Sequence, residues 1–138
     1  MGLSRARRWV RSLSPELMAG EFVFCTVKNI SYAEAAGLSP LASFHEREGL
    51  TLVLSRDRAD GAGIDYAGVF SCITLRVHSS LDAVGLTAAV SGKLADRGIS
   101  ANVVAAYYHD HIFVQSESAT EALAVLKEPW ADSPLLRV

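Results

Sequence analysis

Three neighbouring side chains, His109, Asp110 and His111, are of the types that bind metal ions or transfer protons. Two imidazoles beside a carboxylate could hold a metal at the surface, or serve a small enzyme as acid and base. However, alternate residues with no third ligand nearby in the sequence make a weak metal site, and Asp is common in tight turns. We therefore expect this segment to reverse the chain, with ligand contact, metal binding and catalysis as alternatives.

The other reactive side chains favour structural roles. Cys25 and Cys72 lie in apolar, strand-like segments, which predicts buried free thiols in a reducing compartment rather than a disulfide or a catalytic thiol. His45 and His78 are isolated along the chain, and the sequence contains neither a nucleophile elbow nor a phosphate-binding loop. These observations predict no catalytic residue, no metal site and no cofactor.

Composition narrows the class of protein further. The 138 residues are 50% hydrophobic, which is enough for one domain or two small, closely packed ones. A net charge of -2 argues against general nucleic-acid binding, because phosphate contacts need clustered Lys and Arg. The apolar runs are too short to cross a membrane, and the basic N-terminus lacks the apolar centre of a secretory signal. We therefore expect a cytoplasmic protein with neither a membrane nor a nucleic acid as partner.

The second half of the sequence begins with a strand pattern followed by a helix pattern. Residues 69–78 alternate as a half-buried strand does, and Ser79-x-x-Asp82 is a capping-box signature for the start of a helix. Apolar side chains then recur at spacings of three and four, at Ala83, Leu86, Val90 and Leu94. Gly98 is placed to end this helix in a left-handed conformation.

Two strands and a second helix complete this half. Strands are predicted at residues 101–108 and 111–115, with Tyr107 and Tyr108 on opposite faces of the first strand. The capping-box signature from Ser118 to Glu121 opens the second helix. The resulting order of strand, helix, strand, strand and helix is that of the ferredoxin-like fold.

The first half gives a shortened version of the same order. A central strand is predicted at residues 20–27 and a loop at residues 28–40. A hairpin at residues 42–54 surrounds a turn of charged residues and Gly49, and Ser55 is placed to cap a short helical turn. This half therefore resembles the ferredoxin-like unit with its first helix reduced to a loop.

These elements predict an α+β fold of two tandem ferredoxin-like units of the βαββαβ type. Antiparallel sheets are expected, covered by helices on one face. The first unit spans residues 20–66 and the second spans residues 67–128. Residues 1–19 are expected to be a basic leader or a short helix, and residues 129–138 a tail.

Several segments, in order along the chain, carry a family resemblance: Gly20–Phe24, Glu48–Val53, Tyr66–Phe70, Val77–Gly85 and Asn102–Phe113. In these segments the chain resembles the family of small bacterial tandem ACT-domain proteins, over residues 13–127. The resemblance implies tandem ACT folds and a regulatory role, in which an amino acid or a similar small effector binds at an interface between modules. It also implies a homo-oligomer.

The resemblance places the ligand contacts in the loop after a first strand and at the start of the next strand. In this sequence those positions are Ser80, Asp82, Ala83, Val84, Gly85, Asn102 and Val103. An effector carboxylate would bind backbone N–H groups at a helix start, and an ammonium group would bind Asn102 or Asp82. Alternatively, Asp82 only completes a cap, Gly85 only packs, and Asn102 is an ordinary turn residue.

Two other functions remain open at this point. One is a small enzyme or metal-binding protein that uses His109, Asp110 and His111. The other is a purely structural oligomerisation module. Because residues 28–40 show no obvious helix, a second, equivalent effector site in the first unit is not expected.

Overall fold

The computed structural model describes residues 14–76 and 85–128. The chain divides into a first unit of residues 19–71 and a second unit that joins residues 14–18 to residues 72–128. The elements follow in the order β1 Pro15–Leu17, β2 Phe22–Val27, α1 Tyr32–Ala36, β3 Ala42–Glu46, β4 Gly49–Ser55, α2 Arg56–Gly61, β5 Phe70–Leu75, α3 Leu86–Ala95, β6 Asn102–Ala105, β7 Asp110–Gln115, a 3-10 turn Ser116–Ser118, and α4 Ala119–Lys127.

The first unit has the βαββαβ order from β2 to the start of β5. Its sheet runs β3-β4-β2, with antiparallel pairing throughout, and Phe22 pairs with Phe70 where β5 begins. Alternate strand residues face the two helices, and the core consists of Val23, Cys25, Ala35, Leu50, Leu52, Leu54 and Ala59. The small alanines of α1 and α2 let both helices lie close to the sheet.

Two features predicted for the first unit are confirmed. The hairpin of β3 and β4 turns at Arg47 and Glu48, with Glu46 opposite Gly49. Ser55 is the N-cap of α2, and its hydroxyl accepts a hydrogen bond from the Arg58 N–H at 3.3 Å. The left-handed Gly63 then ends α2, since the Ile64 N–H reaches back to the Ala59 carbonyl.

The loop predicted at residues 28–40 is wrong in one respect, because it contains helix α1. Ser31 and Glu34 form a reciprocal capping box at the start of this helix. Side-chain capping stabilises a helix of only five residues that lacks the length for a clear apolar stripe. The Ser-x-x-Glu spacing was visible in the sequence and would have indicated the helix.

The second unit has a sheet in the order β1-β5-β7-β6. β1 pairs with β5 in antiparallel fashion, with Pro15 opposite Leu75 and Leu17 opposite Ile73. In a ferredoxin-like unit the position beside the first strand belongs to the strand that follows the second helix. Here that position beside β5 is occupied by β1, which precedes the first unit in the sequence.

The core of the second unit lies between its sheet and helices α3 and α4. It consists of Ile73, Leu75, Leu86, Ala89, Val90, Leu94, Ile99, Ile112, Val114, Ala119, Ala122, Val125 and Leu126. The predicted stripe of α3 is confirmed at Leu86, Val90 and Leu94, while Ala83 lies outside the described residues. Both units thus have helices on one face of an antiparallel sheet, which confirms the α+β, ferredoxin-like prediction.

Gly98 ends α3 as predicted. Its φ of 73° is left-handed, its N–H bonds the Ala95 carbonyl at 2.9 Å, and the Ile99 N–H bonds the Leu94 carbonyl at 3.0 Å. This pair of bonds is the Schellman motif, with Ile99 and Leu94 both buried in the core. The motif turns the chain from α3 towards β6.

The leader or short helix expected at residues 1–19 is wrong for residues 15–17, which form β1. Proline is tolerated at the first residue of a strand, where Pro15 lies. Glu16 forms an ion pair of 2.6 Å with Arg76. Three residues are too few to show an alternating pattern. Residues 1–13, the tail at residues 129–138 and the Ser79-x-x-Asp82 signature lie outside the described residues.

Two predicted details of the second hairpin and the last helix are also wrong. The chain reverses at residues 106–109, where the Ala106 N–H bonds the His109 carbonyl at 3.0 Å, because the pairing of Ala105 with Asp110 extends β7 backwards. Tyr107 and Tyr108 are therefore at an exposed tip rather than on strand faces. Ser118 makes no side-chain cap, since it ends a 3-10 turn with φ near -100° instead of being extended.

Candidate functional site

The structure describes three of the residues that were predicted to contact an effector. Gly85 is the N-cap of α3, Asn102 is the first residue of β6, and Val103 follows it. The other four predicted contacts lie outside the described residues: Ser80, Asp82, Ala83 and Val84. The geometry of the candidate site therefore rests on the start of α3 and the start of β6.

Within residues 14–76 and 85–128, no side chain caps the start of α3. Gly85 has φ 90° and ψ -18°, a left-handed conformation that favours glycine. Its carbonyl accepts the first helical hydrogen bond, from the Ala89 N–H at 2.8 Å. Among the described residues no side chain caps the helix, and its first turn contains no acidic residue, although the helix is ten residues long. The partial positive charge at this end is thus not balanced by a side chain within the described first turn.

The start of β6 offers one polar side chain and one apolar side chain. Asn102 is exposed, whereas Val103 is half-buried and packs against the core of the second unit. Because strand residues alternate, the Asn102 side chain lies on the sheet face opposite the helices. Asn102 can therefore contact a ligand through its amide, but Val103 can do so only through its backbone.

Gly85 and Asn102 lie at opposite ends of α3. The Thr74 hydroxyl lies 2.9 Å from His111 Nδ1, so the end of β5, which leads to α3, is beside the start of β7. Asn102 pairs instead with Phe113, farther along β7. A ten-residue helix is about 15 Å long, and Gly85 begins α3 whereas Asn102 follows it in the chain.

The His-Asp-His segment lies where β7 begins, beside the end of β5. His111 bonds Thr74, and burial is the main reason that the pKa of His111 is lowered. Burial also raises the pKa of Asp110, against the opposing effect of the two neighbouring histidines. Among residues 14–76 and 85–128, no three His, Cys, Asp or Glu side chains come close enough together to hold a metal ion.

The two cysteines are buried free thiols, as predicted. Burial raises the pKa of both thiols, which disfavours the reactive thiolate. Cys25 donates a hydrogen bond to the Leu52 carbonyl at 3.6 Å. Neither thiol therefore has the environment of a nucleophile.

Sequence reasoning missed a small surface depression of about 190 Å³ at the C-terminal end of α3. Its lining residues are Gly98, Ile99, Ser100, Gln115 and Ser118. These residues supply hydroxyl and amide groups but no charge, and no spacing in the sequence would have joined them. In the part of the chain that the structure describes, no helix has the length and apolar character needed to span a membrane.

Comparison with protein families gives two matches that together cover most of the chain. One ACT domain model matches residues 2–71, and a second ACT domain model matches residues 69–128. The two matches meet at the start of β5. A comparison with curated proteins found no match.

Solved structures support the same assignment. A Vibrio cholerae protein of unknown function, named as a possible transport protein, is 54% identical with a TM-score of 0.84, covering 91% of this chain and 96% of that one. An Agrobacterium tumefaciens protein is 20% identical with a TM-score of 0.68, over 83% of this chain and 86% of the other.

The fold also matches a regulatory subunit of aspartate kinase from Thermus thermophilus in its ligand-free form. The two are 9% identical with a TM-score of 0.58, over 86% of this chain and 99% of that subunit. At this identity the likeness concerns the fold alone. The two family matches and the 54% identical structure confirm the resemblance predicted from the sequence: the chain belongs to the ACT-domain family and consists of two tandem ACT domains.

Proposed function

We propose that this protein is a cytoplasmic regulatory module that binds an amino acid between two copies of the chain. ACT domains are regulatory rather than catalytic modules, as in the aspartate kinase subunit of similar fold. The observation that carries the proposal is the start of α3, a ten-residue helix with the left-handed Gly85 at its N-cap and no capping side chain in the part of the chain that the structure describes. The two buried free thiols agree with a reducing compartment.

The chemistry of this helix start suits a carboxylate. The first N–H groups of a helix have no acceptor within the helix, and the helix dipole favours negative charge beside them. Gly85 carries no Cβ, so an anion can approach the backbone closely. The carboxylate of an amino acid would bind there, and its ammonium group would need an oxygen acceptor such as the Asn102 amide.

A second copy of the chain supplies that acceptor. β6 is the last strand in the order of its sheet, so its outer edge is available for another strand. If β6 pairs with its equivalent in a second copy in antiparallel fashion, each Asn102 lies near the other copy's Ala105. Ala105 ends β6 at the hairpin tip, opposite Asp110. For Asn102 to serve as the acceptor, this end of the other copy's β6 must also lie near the start of its α3.

A thermal-shift screen against the twenty amino acids tests the proposal. A ligand at about 100 times its dissociation constant stabilises the folded state by about 2.7 kcal/mol, which gives a clear rise in melting temperature. We expect at least one amino acid to produce such a rise. An absence of any shift at millimolar concentrations would count decisively against amino-acid sensing.

Two substitutions locate the site. Asn102→Ala should weaken the binding of the active amino acid, because Asn102 is the proposed ammonium acceptor. Ser43→Ala, on the edge strand β3 of the first unit, is a control outside the second unit and should leave binding unchanged. Sedimentation with and without the amino acid should show a dimer, and a strictly monomeric complex would contradict the two-copy site.

A further inference from the structure

The turn between β6 and β7 consists of two tyrosines that turn chemistry does not explain. The Ala106 N–H bonds the His109 carbonyl at 3.0 Å, which leaves Tyr107 and Tyr108 as a two-residue loop, the hairpin tip. Two-residue hairpin loops favour residues with positive φ, such as Asn-Gly. Neither tyrosine is among the described non-glycine residues with positive φ. The residue type at both positions therefore follows from something other than the turn.

The two rings also contribute little to the packing of their own chain. Tyr107 is 78% exposed and Tyr108 is 74% exposed. The rings lie edge to face with centroids 4.8 Å apart, and the Tyr108 ring lies 6.4 Å from the ring of His109. Tyrosine combines a large apolar surface with a hydroxyl group and is enriched at protein interfaces. The hairpin tip thus has the character of a contact with another molecule.

The surface depression at the C-terminal end of α3 lies at the opposite end of β6 from the hairpin tip. Its volume is about 190 Å³, and its lining residues are Gly98, Ile99, Ser100, Gln115 and Ser118. Pockets for drug-sized ligands measure about 300–1,000 Å³, so this depression suits one side chain rather than a whole ligand. Its two serine hydroxyls and its amide group are of the types that hydrogen-bond a phenol hydroxyl.

Pairing between two β6 edges brings the hairpin tip of one copy to the depression of the other. In the antiparallel arrangement proposed above, Asn102 of each copy lies near Ala105 of its partner. Continued in the same register beyond Ala105, the hairpin tip lies beside residues 99–101 of the other copy. Residues 99 and 100 line the depression. Because the two copies are related by a two-fold axis, the same contact forms twice.

We infer that the hairpin tip of each copy inserts a phenol ring into the depression at the C-terminal end of α3 of a second copy. The inference rests on the proposed function, since it uses the same two-copy arrangement, and it specifies the contact that selects the partner. β6 has only four residues and provides few backbone hydrogen bonds, so the two ring contacts supply the buried area that the strand lacks. They also fix the register, because a slip of two residues displaces the hairpin tip by about 7 Å.

Sedimentation velocity over a dilution series of the full chain tests this inference. Tyr107→Ala combined with Tyr108→Ala, the tip variant, should raise the dissociation constant of the dimer by at least about tenfold, as the loss of an interface hot spot does. Phe44→Ala is the matched control, because it removes a 70% exposed ring from β3 of the first unit. This control should leave the dissociation constant within about twofold of the unmodified protein. An equally tight dimer in the tip variant would overturn the inference.

A substitution in the depression tests the other side of the contact. Ser100 is exposed, so Ser100→Phe should fill the depression without disturbing the core, and it should weaken the dimer as the tip variant does. Combining Ser100→Phe with the tip variant should add little further loss, because both changes remove one contact. Fully additive losses would show that the hairpin tip and the depression do not meet. At concentrations where the chain is monomeric, the tip variant should unfold in urea as the unmodified chain does.

The outcomes separate this inference from amino-acid sensing. A chain that stays monomeric at all concentrations, with and without each of the twenty amino acids, would overturn the inference together with the two-copy site. A dimer that the tip variant leaves intact would overturn the inference alone. A tip-dependent dimer that responds to none of the twenty amino acids would overturn the proposed function and support the inference.

Discussion

Helix α2 offers a matched pair of glycines that separates backbone strain from chain entropy. Gly61 is the last residue of the helix, and Gly63 follows it with a left-handed φ of 67°. A Cβ added at either position would meet no heavy atom within 4 Å. Replacing each with Ala therefore adds the same methyl group to open space at nearly the same place.

The two substitutions should have opposite effects on stability. Gly→Ala reduces the freedom of the unfolded chain, which stabilises the folded state by about 0.4–1 kcal/mol where the backbone permits it. An Ala in the left-handed conformation costs about 1–2 kcal/mol. Gly61→Ala should thus gain stability, while Gly63→Ala should lose it. Because the entropy change is common to both, the two variants should differ by about 1–2 kcal/mol.

Urea unfolding followed by far-UV circular dichroism measures this difference. Both glycines belong to the first unit, so both variants report on the same transition. The slope of the unfolding free energy against urea should be unchanged, with only the midpoint shifted. If Gly63→Ala proved as stable as Gly61→Ala, the left-handed φ at residue 63 would not restrict the side chain there.

Three further variants test the second unit. Leu94→Ala should destabilise the protein by about 2–5 kcal/mol in urea unfolding, since Leu94 is fully buried. A loss of stability no larger than that from a surface substitution would contradict the place of Leu94 in the core. Tyr107→Ala with Tyr108→Ala should change stability by less than about 0.5 kcal/mol, because these side chains are 78% and 74% exposed, and a larger loss would imply hidden packing. Burial lowers the pKa of His111 below its ordinary 6.5, so the unfolded chain takes up the proton more readily and stability should fall as pH drops from about 7.5 to about 5.5. His111→Gln should flatten this dependence in urea midpoints, and equal slopes in both proteins would refute the assignment to His111.

Periodic patterns predicted the long elements of this protein well. The spacing of Leu86, Val90 and Leu94 corresponds to one buried face of α3, because that pattern follows directly from helix geometry. The strand β5 was also predicted, but its alternation indicated a half-buried strand, whereas residues 71–75 are buried on both faces. Gly98 and Ser55 were predictable for a similar reason, since each residue type suits the backbone conformation of a helix end.

Short elements and long-range pairings were not predictable in the same way. β1 has three residues and depends on a partner distant in sequence, so no local pattern identifies it. The tip of the second hairpin was misplaced because Asp110 is a good turn residue, yet its pairing with Ala105 draws it into β7. Tertiary pairing overrode local preference in both cases.

The same distinction between local residue preferences and long-range arrangement applies to the candidate site. The sequence proposed Gly85 as a place of close backbone approach, and the structure gives Gly85 a left-handed φ of 90°, a conformation that favours glycine. The sequence also paired Gly85 with Asn102, and in the structure these residues begin α3 and β6. A shared effector at these two positions stays a prediction.

The place of β1 in the second unit has a consequence for how the protein is made. Residues 19–71 are contiguous and can fold as soon as they leave the ribosome, whereas β1 must wait for β5, roughly 60 residues later. At about 5–20 residues per second, that delay lasts about 3–12 s. During this time the nascent chain carries β1 without its partner strand, until β5 is made at the end of the first unit. The second unit thus joins a segment made before the first unit to segments made after it, and contacts so far apart in the sequence are slow to form.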